Sequence, residues 1–236
     1  MDLFSTFDPR TANKDEIEAM VRPLVRKRLS EVIACGAVRE VTLGNKGQVG
    51  QLVERFFGIK PNSESEPDFV RARIELKVVP ILRRGELARA KERTSVTMID
   101  YMDLERESWS TASVRQKLDH ILFVFYEHVP PNQAFEAEVL AYSFWNPSQE
   151  LLPQICRDWT VVRDKVRLGR AHEISERDGR ILGAATKGAG HGRTVQQPRS
   201  SQRARPRAWA LKPCLTSWIY DTTRQKPQVS ILEALQ

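Results

Sequence analysis

The sequence has few of the residues that build disulfide or zinc centres. Its 236 residues include three cysteines, Cys35, Cys156 and Cys214, which are odd in number and form no CxxC pair. Its four histidines are also isolated from one another, so none is repeated at the helical spacing of a zinc site. These absences argue against a disulfide scaffold and against a soft-metal enzyme. We therefore expect reduced, buried thiols.

Long hydrophobic runs are also missing. The longest uninterrupted apolar run, Ile121–Tyr126, is far shorter than the roughly 20 residues of a membrane-spanning helix. The first ten residues include Asp2 and Asp8 and show no basic-then-apolar signal pattern. With 41% hydrophobic and 28% charged residues, the composition is that of an ordinary globular protein. We expect a cytoplasmic protein without a membrane anchor.

Negative charge is absent from one long stretch. The chain carries 37 Lys and Arg against 30 Asp and Glu, a net charge of +7, yet residues 179–220 contain no Asp or Glu. The positive charges in this basic stretch are Arg180, Lys187, Arg193, Arg199, Arg203, Arg205, Arg207 and Lys212. Positive charge concentrated in this way is typical of a surface that binds phosphates, so nucleic acid is the leading candidate partner. The alternative is that residues 193–207 form a loop whose charge only keeps the protein soluble.

The hydrophobic pattern predicts helices and strands in irregular order. A helical N-terminal arm is expected over residues 14–34, with a kink at Pro23, and a long helix over residues 148–168. The predicted strands are residues 74–81, 94–101, 119–128 and 138–145, followed by extended pieces at 180–186 and 207–211. Because no regular βαβ alternation is present, the predicted fold class is α+β.

A further helix is predicted between Lys46 and Gly58. Its apolar residues fall at i, i+3, i+4, i+7 and i+8, which defines one buried stripe. The other side carries glycines together with Lys46 and Glu54. Glycine costs about 0.8 to 1 kcal/mol of helix stability relative to alanine, so a glycine face indicates close approach of a ligand or of another part of the backbone.

The candidate catalytic residues follow this helix. Pro67 and Asp68 are separated by six residues from Glu75, Leu76 and Lys77, which gives a PD and ExK arrangement. Strand alternation places Glu75 and Lys77 on one face. Carboxylates bind the hard cation Mg²⁺, and a nearby lysine orients the attacking water or stabilises charge on phosphorus. The pattern therefore predicts magnesium-dependent phosphodiester hydrolysis, with Glu54 and Lys46 joining the site. A solvated strand face is the alternative.

Five segments of the sequence resemble the MutH-like family of GATC-recognising DNA endonucleases, and in wording they are closest to its type II restriction branch. These segments are NKGQVGQLVERFFG at 45–58, EPDFVRARIELKVVP at 66–80, AKERTSVTMIDY at 90–101, AHEISERDGRILGAATKGAG at 171–190 and RAWALKPCLTS at 207–217. The resemblance extends in family order from about residue 40 to residue 220.

The resemblance implies a PD-(D/E)xK restriction-endonuclease-like fold, in which a mixed sheet flanked by helices forms a DNA-binding cleft between two lobes. It places Asp68, Glu75 and Lys77 on the family's catalytic positions, Glu54 on an additional acidic position and Lys46 on the lysine at the start of the helix. Asp68, Glu75 and Glu54 are the expected ligands of Mg²⁺. Lys187 falls in the base-reading segment and Lys212 in the strand that approaches the recognition site. Beside the resemblance, the segment rich in Ser, Gln and Pro that carries Arg199, Arg203 and Arg205 is expected to follow the backbone of double-stranded DNA, the predicted partner. Arg207 is also expected to bind DNA.

From these features we expect an N-terminal arm at 1–40, a catalytic core at 41–170, a basic recognition lobe at 171–220 and a tail at 221–236. The leading hypothesis is a Mg²⁺-dependent restriction endonuclease acting at GATC. The alternatives are a strand-specific nickase of mismatch repair and a DNA-binding protein that does not cleave. Because the sequence carries one copy of the motif, double-strand cleavage of a palindrome has three explanations: two chains assemble on DNA, one chain cuts sequentially, or the sequence is one domain of a longer protein.

Overall fold

The structure, a computed structural model, describes residues 7–33, 47–60, 66–187 and 192–224. The helices are α1 (Lys14–Val21), α2 (Leu29–Val32), α3 (Gln48–Phe56), α4 (Tyr101–Arg106), α5 (Ser113–Leu118), α6 (Leu152–Arg167) and α7 (Pro213–Thr223). The strands are β1 (Glu75–Arg84), β2 (Leu87–Ala90), β3 (Thr94–Met98), β4 (Ile121–Glu127), β5 (Val139–Trp145), β6 (Leu182–Thr186), β7 (Val195–Gln197), β8 (Ser200–Ala204) and β9 (Arg207–Leu211). Within the described ranges, no helix is long and apolar enough to cross a membrane.

The chain forms two compact units, and it passes from one to the other several times. Unit 1 comprises Met1–Lys91, His120–Trp145 and Ser217–Gln228. Unit 2 comprises Glu92–Asp119, Asn146–Thr216 and Val229–Gln236. This division differs from the expected boundaries at 40, 170 and 220, because residues 92–119 and the long helix α6 group with the basic stretch.

Unit 1 contains the larger sheet, in the order β2-β1-β4-β5. Strand β1 pairs antiparallel with β2 and parallel with β4, so the sheet is mixed. Strand β4 is buried along nearly its whole length, as expected for a central strand. Helix α1 begins at a capping box. Asn13 Oδ1 accepts a hydrogen bond from the N–H of Glu16, and Glu16 Oε2 accepts one from the N–H of Asn13. The kink predicted at Pro23 is a 3-10 turn, Arg22–Leu24, that follows α1.

Unit 2 contains a three-stranded antiparallel sheet, in the order β3-β9-β6, and the separate β7-β8 hairpin. Its central strand β9 is buried at every position. Helix α6 packs in the same unit and buries Ile155, Trp159, Val162 and Val166 on one side. The basic stretch therefore includes a buried strand as well as exposed segments.

The predicted α+β class and the predicted order of elements are confirmed, and two local expectations were wrong. The strand expected over 94–101 ends at Met98, because Asp100 caps a new helix by accepting from the N–H groups of Met102 and Asp103. Among the cysteines, Cys156 is half-buried and Cys214 is exposed, whereas buried thiols were expected. Cys35 and the C-terminal tail after residue 224 lie outside the described residues.

Candidate active site

A tight turn brings Asp68 to the first residues of β1. Phe69 and Ile74 exchange backbone hydrogen bonds of 2.9 and 3.2 Å, and Arg73 closes the turn with a φ of 55°. As a result, Asp68 Oδ2 accepts a hydrogen bond of 2.8 Å from the N–H of Leu76. The six residues between Asp68 and Glu75 thus form a tight turn. This turn places the Asp68 carboxylate beside β1, the strand that carries Glu75.

Glu75 and Lys77 form an ion pair on one face of β1. Lys77 Nζ lies 2.7 Å from Glu75 Oε1. Glu75 is 3% exposed and the Lys77 side chain is 16% exposed. Buried charges of this kind are rare unless they are paired, so the pair is not the solvated strand face that was the alternative explanation.

Glu54 belongs to the same electrostatic cluster, although it lies on helix α3. Burial raises the pKa of the Glu54 carboxyl above its ordinary value, the charge of Asp68 raises it further, Lys77 opposes this shift, and Glu75 adds to it. The end of α3 is fixed to the Asp68 turn by Phe57 and Phe69, two fully buried rings in edge-to-face contact at 5.2 Å. This contact holds the helix that carries Glu54 against the turn that carries Asp68.

No described part of the chain covers the glycine face of α3 at Gly47 and Gly50. A Cβ built at either position would meet no described atom within 4 Å. Packing against the described strands therefore does not account for these two glycines. Lys46, the other residue expected at this site, lies outside the described residues, so its place in the cluster stays a prediction.

The three carboxylates have the chemistry of ligands for a hard divalent cation, because their oxygen atoms are the ligands that Mg²⁺ prefers. Burial, and then the charge of Asp68, raises the pKa of Glu54, and a cation would oppose the part of this shift that Asp68 causes. Within the described residues, however, no group of three or more His, Cys, Asp or Glu side chains is arranged as a complete metal site. Glu75 Oε1 accepts from Lys77 and Asp68 Oδ2 accepts from the N–H of Leu76, so a cation would have to share or displace these contacts.

In unit 2, two residues of the basic stretch serve the fold. Arg207 is 8% exposed, and its guanidinium donates to the carbonyls of Ala184 and Ile174. Lys212 Nζ donates to the carbonyl of Gly179. Arg207 is therefore committed to contacts within the fold, and its expected part in DNA binding stays a prediction. For Lys212, the contact indicates at least a role in holding the turn at Gly179.

The other candidate DNA contacts are exposed. Arg199 Nε donates to Glu105 Oε1, and Arg203 donates from two guanidinium nitrogens to Thr194. The Arg205 side chain makes no hydrogen bond or ion pair in the described part of the chain. Lys187 follows β6 and is also exposed, and its N–H bonds to the carbonyl of Pro206 at 3.0 Å.

Sequence reasoning missed Asp158, which anchors the segment that leads to Lys187. This carboxylate is 2% exposed, and its Oδ2 accepts from the N–H groups of Ile181 and Leu182 at 2.7 and 2.9 Å, at the start of β6. Its Oδ1 accepts from Gln154 at 2.7 Å. Asp158 lies three residues after Ile155 and four before Val162, so it is on the buried side of α6. An acidic residue at such a position was the available signal, but its partners were not predictable until the position of β6 was known.

Comparison with known proteins identifies the family. A family model described as DNA mismatch repair enzyme MutH matches residues 57–158. The chain is 34% identical over 175 residues to the type II restriction enzyme Sau3AI of Staphylococcus aureus, which covers 71% of this chain and 35% of that enzyme. It is 31% identical over 172 residues to the DNA mismatch repair protein MutH of Shewanella woodyi, which covers 71% of this chain and 73% of that protein. The chain thus spans about a third of the restriction relative and nearly three quarters of this MutH relative. With this identity over most of a MutH protein, and with α and β elements around a mixed sheet, the chain belongs to the MutH-like family of DNA endonucleases.

Proposed function

We propose that this chain is a Mg²⁺-dependent DNA endonuclease that cleaves at GATC sites in the manner of a type II restriction enzyme. The observation that carries the proposal is the cluster in which Asp68 meets β1 while Glu75 and Lys77 pair on one face of that strand. The identity to the restriction relative and the resemblance of the sequence segments to the restriction branch support the choice of restriction cleavage and of GATC as the DNA site.

In this mechanism Asp68 and Glu75 hold the cation, and Glu54 contributes a third carboxylate. Bound Mg²⁺ would supply positive charge at the scissile phosphate and lower the pKa of a bound water. Lys77 donates hydrogen bonds to the attacking water or to the phosphate oxygens, which positions the water and stabilises the charge that develops on them. Lys77, which is paired with Glu75 at 2.7 Å, would make this contact from the same face of β1. Lys46, at the start of the helix that carries Glu54, is proposed to assist.

DNA binding is assigned to the basic stretch, with two kinds of contact. Lys187 is proposed to read base edges, since lysine can donate to the O6 and N7 atoms of guanine. Arg199, Arg203 and Arg205 are proposed to contact phosphates, which position a duplex without reading its sequence. A cytoplasmic location belongs to the same proposal, because the proposed DNA substrate lies there.

A strand-specific nickase is the second candidate. The family model is named for the mismatch repair enzyme, and the chain spans more of its MutH relatives than of the restriction relative. A single copy of the motif also suits the cutting of one strand per binding event. Double-strand cleavage would instead need two chains on one palindrome or two successive reactions.

The two candidates differ in the product that they make from supercoiled plasmid. The purified chain is incubated with Mg²⁺ and with plasmids that carry one GATC site or none, and the product ends are then sequenced. We expect linear DNA with both ends at GATC. Open circles as the final product would favour the nickase, and uncut plasmid across a range of divalent cations would reject both. A rate that rises with the square of protein concentration would support self-association on DNA.

A further inference from the structure

Unit 2 contains a pocket next to the proposed base-reading lysine. Its volume is about 560 Å³. Its walls come from the end of β3, the start of α4, and the segments around Lys187 and β7. The two charged side chains of the basic stretch that line it are Lys187 and Arg193. Asp100 also lines it, but its Oδ1 accepts from the first N–H groups of α4, which offsets its charge.

The pocket exposes two methionines. Met98 is 55% exposed and Met102 is 43% exposed, although large apolar side chains are usually buried. Their neighbours in the wall include Ile99, Val195 and Pro206. Exposed apolar surface that is concentrated at one site and bordered by cations indicates a contact surface rather than an isolated exposed residue.

The sheet register places Met98 and Lys187 on the same face. Met98 and Ala185 both pair with Ala208, one from each side of the central strand β9. Directly paired residues project to the same face, and Lys187 is two residues beyond Ala185, so alternation returns it to that face. Two strand spacings separate β3 from β6, about 10 Å. At a rise of about 3.4 Å per base pair, this separation corresponds to about three base-pair steps, so the methionine and the lysine can contact different base pairs of one four-base-pair site.

The floor of the pocket is held in place. Tyr101 is 2% exposed, and its hydroxyl donates to the carbonyl of Arg205 at 2.6 Å. The N–H of Ile99 donates to the carbonyl of Arg207 at 2.9 Å. These two bonds tie the segment between Met98 and Met102 to the start of β9, so the methionines are presented from a fixed backbone.

We propose that Met98 and Met102 form a subsite for thymine, in which they contact the 5-methyl group that thymine presents in the major groove. This inference rests on the proposed recognition of GATC and adds the residues that would distinguish its T·A pairs. The 5-methyl group of thymine is an apolar group among the hydrogen-bond donors and acceptors that base pairs present in the major groove, and apolar side chains recognise it by contact. Methionine suits this contact because its unbranched thioether adapts to the groove. Lys187 and Arg193 supply the charge complementarity that brings a polyanion to this surface.

The test removes the methyl group from the DNA and the side chains from the protein. Duplexes carry GATC, GAUC on both strands, or GATC with deoxyuridine only in the flanking sequence. Binding is measured in Ca²⁺ and cleavage in Mg²⁺. The protein variants are Met98→Ala/Met102→Ala, the conservative Met98→Leu/Met102→Leu, and Leu168→Ala as a matched control, since Leu168 is an exposed apolar residue of the same unit at 67% exposure.

We expect the unmodified protein to lose about fourfold in affinity for each thymine methyl removed from the site, from the burial of one methyl group. Flanking deoxyuridine should have no effect. The alanine variant should bind GATC and GAUC equally, whereas the leucine variant and Leu168→Ala should retain the preference for thymine. Non-specific binding and circular dichroism of each variant check the fold.

Each remaining result overturns the inference in a recognisable way. If the protein prefers GATC to other sequences but binds and cuts GAUC equally well, the proposed thymine subsite is wrong and the proposed function stands. The same conclusion follows if the alanine variant still distinguishes thymine from uracil, because the methyl group is then read elsewhere. If the protein neither prefers nor cuts GATC, the proposed function fails and this inference fails with it.

Discussion

Lys77 and Glu75 form an ion pair at 2.7 Å from adjacent positions on one face of β1, with Glu75 almost completely buried. A buried ion pair is a weak source of stability, because the loss of hydration offsets the attraction between the charges. The Lys77–Glu75 pair is therefore better explained by a catalytic role than by a contribution to the stability of the fold. Asp68, delivered to the same strand by the Phe69–Ile74 turn, makes the pair part of a larger polar site.

The first prediction concerns this strand. Asp68→Asn, Glu75→Gln and Lys77→Ala should each lower the single-turnover cleavage rate by about a thousandfold or more, since each removes a group that acts in the transition state. Affinity for DNA, measured in a chelator, should change by less than about threefold, because phosphate binding is assigned to unit 2. Leu87→Ala, at an exposed position in the same unit, serves as the control and should cut normally. A carboxylate variant with the original rate in excess Mg²⁺ would remove this strand from the active site.

The second prediction separates function from stability at Glu54. The pKa of its carboxyl is raised in the folded protein by burial and by Asp68. The folded state therefore holds its proton to higher pH than the unfolded state, and stability is lost as pH rises from the unfolded pKa of about 4.5 through the folded one. Glu54→Gln should remove this loss of stability, because glutamine does not ionise. In EDTA the variant should melt at or above the temperature of the unmodified protein at pH 7.5, and it should show no such advantage at pH 4.

Mg²⁺ supplies the complementary measurement. It should raise the melting temperature of the unmodified protein at pH 7.5 more than that of Glu54→Gln, because the variant lacks one carboxylate, and it should leave the variant slow in cleavage. An equal Mg²⁺-induced shift together with a normal cleavage rate would mean that the helix face of Glu54 has no part in metal binding.

The sequence predicted those parts of the site that depend on local periodicity. Alternation from Ile74 to Val78 was enough to define β1, because a strand repeats every two residues whatever lies around it. The turn before it was not predictable, since it depends on a positive φ at Arg73, which residues other than glycine seldom adopt. Arg205 and Arg207 looked equivalent, two residues apart in one basic run. Only the pairing of β9 with β6, a long-range contact, decides that Arg207 is buried.

The third prediction concerns salt dependence. Arg205 has no hydrogen-bond or ion-pair partner in the described part of the chain, so Arg205→Gln should reduce the slope of log K against log salt by about 0.9. Arg199→Gln should change the slope by less than half as much, because its guanidinium is already paired with Glu105. Lys187→Ala should instead reduce the preference for GATC over other duplexes. If all three variants keep the slope of the unmodified protein and Lys187→Ala keeps the preference for GATC, the basic stretch serves only solubility.

The fourth prediction concerns the turn that precedes β6. Gly179 has a φ of +79°, and a Cβ there would lie 2.0 Å from the carbonyl oxygen of Leu182. Gly179→Ala should therefore lower the free energy of unfolding by about 3 kcal/mol or more, from the left-handed conformation and the backbone clash together. Gly192→Ala is the matched control in the same unit, because its φ is +107° and no described atom lies within 4 Å of its Cβ position. It should cost only about 1 to 2 kcal/mol. If urea unfolding shows that the two variants lose the same free energy of unfolding, the structure relieves the clash at Gly179 without a loss of stability.

The fifth prediction uses Tyr101, whose pKa is raised by burial to about 12. At pH 7 Tyr101→Phe should lower the free energy of unfolding by about 1 kcal/mol, since it removes the bond to Arg205. In the unfolded chain the tyrosine ionises near pH 10, while the folded protein keeps it neutral to about pH 12, so the unmodified protein loses stability between these values. The loss reaches about 2 to 3 kcal/mol relative to Tyr101→Phe.

The two stability curves should therefore cross near pH 11, with the phenylalanine variant the more stable one above the crossing. Urea unfolding at intervals from pH 7 to pH 12 measures both curves on the same scale. The two proteins differ only at residue 101, so the difference between the curves reports the ionisation of Tyr101 together with its electrostatic interaction with Arg207. A constant difference across this range would mean that Tyr101 ionises at its ordinary pKa. The floor of the methionine pocket would then be open to water, which would weaken the argument that Met98 and Met102 are presented from a fixed backbone.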